Sequence, residues 1–336
     1  MVLRAPWELV PGEVSEPQPD ARDVLVRVTH SGICGTDYKI YSGGIPVDYP
    51  RVMGHEMTGE VVAAGSGGAL KAGDRVIIDP QLYCGACFHC RIGQTHLCPK
   101  GMLIGRDKNG GFAEYVAAPG DHAFSLPDSI DSRTAPLIQV LTTCLHAQQQ
   151  IRIVPGEAVV VFGLGVTGQL HVQLAKARGA SPVIGVTRSA DKRALAEKLG
   201  ADLTIPGGEG AIEQVRDATG GRGADVVIET TGVMASVASA IHMARSGGRL
   251  LLFGIITAKE GALPFYDLYF KELALISARV AKSEDYPAAI ALVESGQVRL
   301  EPLVSNVMPL DEAKAAIGLL GSDSGPRMKI ILDHQP

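Results

Sequence analysis

Ala158-Val-Val-Val-Phe162 runs straight into Gly163-Leu-Gly165-Val-Thr-Gly168, and Gln169 to Arg178 follows before Gly179. The apolar run reads as a buried strand and the segment after the glycines as a helix closed by Gly179. In such a turn Gly163 makes the tight bend, Gly165 lets a pyrophosphate approach the backbone, and Gly168 lets helix and strand pack closely. Val166, inside the turn, is a further cofactor-binding candidate, and the N-terminus of the following helix faces the phosphates. A bare G-x-G-x-x-G is weak; this one has the required strand before it and helix after it.

Strand and helix patterns alternate on both sides of this motif. Strands are expected at Val159 to Phe162, Pro182 to Thr187, Leu203 to Ile205, Val226 to Glu229, Arg249 to Gly254 and Leu273 to Ser277. Helices are expected at Ala190 to Leu199, Ile212 to Thr219 and Met234 to Ala244. This alternation implies a doubly wound parallel sheet in an α/β chain. The N-terminal part reads instead as β-rich, with short strands at Val24 to Val28, Gly59 to Val62, Arg75 to Ile78 and Ala113 to Val116. Frequent turns between short strands suggest a small barrel-like unit. Residues 1–140 and 279–336 are assigned to this first domain and residues 141–278 to the dinucleotide-binding domain.

Cys84, Cys87, Cys90 and Cys98 stand at C-x2-C-x2-C-x7-C within residues 83–99. Four thiolates so spaced can surround one tetrahedral zinc. Gly85, Gly93 and Pro99 suit an irregular lobe rather than a helix or strand. A disulfide framework is the competing reading, but the chain is long, has only six cysteines and shows no secretory leader. His89 and His96 are expected to be solvated loop residues, since the thiolates complete the shell. A second constellation is Cys34, in Gly32-Ile-Cys-Gly-Thr-Asp37, with His55 and Glu56. Thiolate, imidazole and carboxylate make a mixed shell suited to a catalytic zinc with an open position. Glu56 either ligates directly or, like Asp37, orients the other ligands.

Composition bounds the function. Hydrophobic residues make up 46% of 336 positions, enough for large cores in about two domains. The net charge of -5, with no basic run, opposes nucleic-acid binding. No apolar run approaches the roughly 20 residues that span a bilayer. Cysteines used as metal ligands, with Cys144 as a buried spare, fit a reducing cytoplasm.

Taken together, these motifs resemble the zinc-dependent medium-chain alcohol dehydrogenase family, which includes sorbitol, threonine and glucose dehydrogenases. The resemblance runs from the Gly-Ile-Cys-Gly-Thr-Asp segment to the final strand Lys329 to Leu332. It identifies the β-rich part as a GroES-like catalytic domain and the rest as a Rossmann domain. It implies two zinc ions per subunit, one catalytic and one structural. Its third catalytic-zinc position falls on Gln139, where relatives usually have Cys or Glu. Gln139 then ligates through oxygen, directly or through water; Cys144, five residues later, would point to a different helix face. A neutral ligand leaves the site one charge more positive, which favours ionisation of a bound alcohol.

The resemblance also assigns proton transfer to Thr36, whose competing role is a helix cap. Lys39 replaces the histidine that relays the proton in many relatives. Lysine, with an ordinary pKa of about 10.4, is already protonated at neutral pH and accepts no proton. Where an NAD-binding strand would end in an acid, Thr187 stands beside Arg188, Ser189, Lys192 and Arg193. The missing carboxylate and the cations favour NADP over NAD. Further cofactor contacts implied by position are Thr143, Thr231, Gly232, Gly254, Ile255 and Lys329. The expected activity is hydride transfer between NADP and a secondary alcohol, polyol or sugar, in a homodimer or homotetramer. Alternatives are a threonine-type NAD-dependent hydroxy-amino-acid dehydrogenase, and a non-catalytic NADPH-binding relative.

Overall fold

In the computed structural model, residues 1–65, 68–321 and 328–335 are described. The chain forms two compact units, one of Met1–Thr142, Lys282–Ser295 and Leu300–Pro336, the other of Thr143–Ala281 and Gly296–Arg299. The first division falls inside the helix Leu137–Ile151. Gly296–Arg299 joins the second unit for a visible reason. Gln173 donates to the Arg299 carbonyl at 3.1 Å and accepts from its N–H at 2.8 Å, and Val298 is buried.

The first unit is built on a seven-stranded sheet. Its long strand Asp23–Ile33 pairs with Glu56–Ala64, Tyr115–Pro119 and Lys329–Asp333, all antiparallel. Val24, Val26 and Val28 alternate inward and pack with Met57, Val61, Val76 and Ile78, the period-two pattern of a strand with one buried face. The last strand, Lys329–Asp333, therefore closes onto the N-terminal sheet, and Val304–Pro309 pairs with it in parallel.

The strand expected from Ala113 begins only at Tyr115. Before it, Gly110 to Phe112 pack their backbone on the turn that precedes His55. Gly111 and Phe112 donate to the carbonyls of Gly54 and Met53. Gly54 has a φ of +93°, and a Cβ on Gly110 would lie 2.1 Å from the Gly54 oxygen. That turn is thus fixed by backbone-to-backbone contact that only glycine permits.

The second unit holds a six-stranded parallel sheet in the order Leu203–Pro206, Val183–Thr187, Val159–Phe162, Ala224–Glu229, Ala244–Leu252 and Ala274–Ser277. This is the doubly wound order, with its switch point beside Val159–Phe162. Val159, Val160 and Val161 are fully buried, because helices cover both faces of the sheet. The fifth strand starts earlier than expected, at Ala244, and stops at Leu252 rather than Gly254. It stops there because the N–H groups of Phe253 and Gly254 both turn to the Glu229 carbonyl.

Candidate metal centres and cofactor site

The four-cysteine lobe is not wholly irregular. Phe88–Arg91 forms one helical turn and Thr95–Leu97 a 3-10 turn, between the paired strands Gln81–Leu82 and Met102–Leu103. Folding the chain back in this way gathers the sulfurs. Cys87 lies 3.4 Å from Cys90 and 3.9 Å from Cys98, and Cys98 lies 3.6 Å from Cys84. Tetrahedral zinc with Zn–S bonds of about 2.3 Å requires sulfur separations of about 3.8 Å. These distances fit a zinc ion and are far beyond the disulfide bond length of about 2.05 Å. Backbone N–H groups of Ala86 and Cys87 hold the Cys84 thiol down to about 6. His89 sits half-buried on the helical turn against Gln94, and His96 is also half-buried, so neither is the freely solvated loop residue expected.

The second centre is assembled by the sheet of the first unit. Cys34 follows the long strand directly and is the N-cap of the helix Gly35–Tyr41, while Glu56 begins the neighbouring strand and His55 stands just before it. Ligand atoms of Cys34, His55 and Glu56 lie within 4.8 Å of one another. A mixed sulfur, nitrogen and oxygen set in a buried corner is the donor chemistry zinc takes in catalytic sites.

Asp37 holds this corner together. One oxygen accepts from the Cys34 N–H at 2.8 Å, and the other lies 3.3 Å from Nδ1 of His55, a charge contact whose angle falls short of a hydrogen bond. Burial disfavours a charged His55, but Asp37 outweighs it and holds the ring well above the ordinary histidine value. The same contact turns Nδ1 to the carboxylate and leaves Nε2 as the ligand nitrogen. Cys34 and Asp37 cap the helix, so the Thr36 hydroxyl has no capping duty and makes no hydrogen bond among the described residues.

Glu56 and Lys329 form a buried ion pair. The Lys329 ammonium reaches both Glu56 oxygens, at 2.8 and 2.7 Å, and the Ile33 carbonyl at 3.1 Å. Burial opposes the charge on Lys329, yet Glu56 and Cys34 hold it above the ordinary lysine value. All three of its protons are engaged, so Lys329 braces Glu56 where a cofactor contact was expected. Gly32 makes room for that carboxylate: a Cβ there would lie 2.1 Å from Glu56 Oε2.

Gln139 is buried in the first turn of the helix Leu137–Ile151. Its side-chain amide makes no hydrogen bond among the described residues, while its carbonyl accepts from Thr142 at 2.7 Å. Cys144 is fully buried with its sulfur toward the Thr167 carbonyl, and burial pushes its thiol far up, as befits an inert core residue.

In the second unit each motif glycine has a distinct steric reason. Gly163 has a φ of +95°, and a Cβ there would strike the Thr230 and Thr231 side chains at 2.6 and 2.7 Å. Gly165 faces open space at the N-cap of the helix Val166–Ala177, where a phosphate could approach. A Cβ on Gly168 would lie 2.0 Å from the Gly163 oxygen, which is the close helix–strand packing expected.

The basic cluster divides by role. Ser189 caps the helix Ala190–Lys198, and the Arg193 guanidinium binds the carbonyls of Thr187 and Arg188. These contacts use Nη1 of Arg193 and the acceptor side of the Ser189 hydroxyl. Arg188 is exposed, Lys192 half-buried, and neither side chain has a partner among the described residues. Thr143 is half-buried on its helix and Ile255 is 72% exposed.

Thr231 and Gly232 are held by a residue the sequence reading passed over. Fully buried Glu229 accepts the Thr231 N–H at 2.7 Å, the Thr231 hydroxyl in a very short bond, and the Gly232 N–H at 3.1 Å. A lone acid ending the apolar run Val226 to Ile228 was the available signal. Gly254 packs against this turn; a Cβ there would lie 2.1 Å from the Gly232 nitrogen.

Comparison with known proteins agrees with both halves. Residues 20–128 match the alcohol dehydrogenase GroES-like domain, and residues 166–295 match the zinc-binding dehydrogenase domain. An uncharacterised zinc-type alcohol dehydrogenase-like protein of Haemophilus influenzae is 32% identical over 98% of this chain and 96% of its own. L-Galactonate-5-dehydrogenase of Escherichia coli K12 is 34% identical over 92% of this chain and 91% of its own. A Sinorhizobium meliloti protein described as a zinc-binding dehydrogenase, solved with NADP, superposes with a TM-score of 0.92 at 33% identity, covering 99% of this chain and 98% of that one. With both domains matched and relatives aligned along nearly its whole length, this chain belongs to the zinc-type medium-chain alcohol dehydrogenase family.

Proposed function

We propose that the protein oxidises a secondary alcohol of a polyol, sugar or sugar acid, passing hydride to NADP. The observation that carries this is the convergence of Cys34, His55 and Glu56 at the start of the helix that bears Thr36. A dinucleotide-binding unit in the same chain supplies the acceptor. Residues 1–140 with 279–336 act as the catalytic domain and residues 141–278 as the cofactor domain.

Cys34, His55 and Glu56, with an oxygen from Gln139, would hold a zinc ion, which would supply the Lewis acidity that eases loss of the alcohol proton. The Thr36 hydroxyl, free of a capping bond, accepts that proton from the substrate hydroxyl as it passes its own to water or the cofactor ribose. Asp37 keeps the His55 ring oriented, and Lys329 holds the Glu56 carboxylate in its buried corner. In the other unit the turn at Gly163 to Gly168 binds pyrophosphate, with Val166 opening the helix. Thr231, Gly232, Gly254, Ile255 and Thr143 border the nicotinamide half. Cys84, Cys87, Cys90 and Cys98 hold the structural zinc.

The NADP preference rests on Thr187, where no acid stands to repel a 2′-phosphate, and on the unpaired side chains of Arg188 and Lys192. A cytoplasmic setting suits six free thiols. A homodimer or homotetramer is supported by the open sheet edge at Ala274–Ser277, beside the exposed aromatics Phe265, Tyr266, Tyr269 and Phe270.

The test is a spectrophotometric screen of alcohols, polyols, sugar acids and L-threonine with NADP and NAD separately. Reduction of NADP at a higher kcat/KM than NAD is expected with a polyol or sugar derivative. Thr187→Asp with Arg188→Ser should shift the NADP-to-NAD ratio by about tenfold or more, the worth of a lost charge-assisted bond. A parent enzyme that already prefers NAD sinks the cofactor assignment, and turnover of L-threonine alone sinks the substrate class.

A further inference from the structure

Lys39 stands three residues after Thr36 on the helix Gly35–Tyr41, and residues so spaced share a helix face. The buried side of that helix carries Asp37, Ile40 and Tyr41 instead. Tyr38 and Tyr41 turn to Trp7, with ring centroids 6.0 and 5.1 Å away, which leaves Thr36 and Lys39 on a separate, half-buried face. The ammonium of Lys39 has no carboxylate or carbonyl partner among the described residues. A cation in a helix's last turn gains a little from the helix dipole, but that gain does not place it on the face of the proton acceptor.

We infer that Lys39 recognises an anionic group, a carboxylate or a phosphate, on the substrate at the end remote from the reacting carbinol. The Cβ atoms of residues three apart on a helix lie about 5–6 Å from each other, and the lysine stem adds its own reach. A five- or six-carbon chain spans that distance. The ammonium acts as a point charge, suited equally to carboxylate and phosphate. This inference rests on the dehydrogenase reading above and narrows its substrate class to sugar acids and sugar or polyol phosphates.

The experiment uses the zinc-loaded enzyme and matched six-carbon alcohols: sorbitol against gluconate and sorbitol 6-phosphate, and galactitol against L-galactonate and galactitol 1-phosphate. In at least one set the anionic member should exceed its neutral counterpart in kcat/KM by about tenfold or more. Which anion wins distinguishes carboxylate from phosphate. Lys39→Gln should abolish most of that ratio, and Lys39→Arg should restore it. Calorimetric titration of the preferred anion, without oxidised cofactor, should show weaker binding to Lys39→Gln by a similar factor, independent of turnover. Equal losses on neutral and anionic alcohols, or a loss confined to the KM of the cofactor, overturn the role of Lys39 and leave the dehydrogenase standing. No oxidation of any alcohol with either cofactor overturns the dehydrogenase reading itself.

Discussion

Cys98→Ser should release one zinc ion per chain and expose three newly reactive thiols, those of Cys84, Cys87 and Cys90. The expectation follows from geometry. Cys98 closes the tetrahedron, with its sulfur 3.9 Å from Cys87 and 3.6 Å from Cys84. The lobe has little else to hold it: Phe88, Ile92 and Leu97 are exposed, so no apolar core lies beneath. Its order therefore depends on the metal. Zinc binding of this kind contributes roughly 10–16 kcal/mol in isolated zinc-finger peptides. Here part of that free energy is spent ordering the lobe, and the rest should appear as a lower urea midpoint. Thiol titration and elemental analysis on one preparation read both effects. Unchanged zinc content and midpoint would show that the four sulfurs gather for another reason.

In the zinc-free protein, Lys329→Met should cost about 3–5 kcal/mol of stability, from stranding a buried charge after its partner is removed. Glu56 is 1% exposed and both its oxygens depend on the Lys329 ammonium. Methionine fills the space of the lysine stem, so packing is largely conserved and the loss is electrostatic. Adding Glu56→Gln removes the stranded charge and should return at least half of the lost stability. That recovery separates a broken ion pair from a damaged core. A single-mutant loss under about 1 kcal/mol, the range of exposed pairs, would mean that water reaches the pair.

Much of this was legible in the sequence, because the signals were local. The valine run at 159–161, the glycines at 163, 165 and 168, and the cysteine spacing each lie within a short window, and each forms the turn or cluster its spacing implies. The unread features join distant parts of the chain. Lys329 lies 273 positions from Glu56, and nothing near either residue announces the other. Sheet pairing of Ile330 with Ile33 brings the lysine to the zinc corner, a juxtaposition that sequence does not show. Gly32 and Gly110 leave space for Glu56 Oε2 and for the Gly54 carbonyl, contacts that no local pattern announces. Arg193 and Ser189 were read as phosphate ligands because sequence gives their charge and polarity but not their partners, which are a strand end and a helix N-terminus.

The most direct test of the account is a chelator titration that follows zinc content, NADP reduction and fold in the same samples. The mixed site of Cys34, His55 and Glu56, with one thiolate against four, should surrender its zinc before the four-thiolate lobe. Activity should then fall in proportion to the first zinc lost, from two per chain to one, while circular dichroism stays unchanged. Full activity at one zinc per chain, or both ions leaving together with the fold, would contradict a catalytic zinc at Cys34, His55 and Glu56 distinct from a structural one.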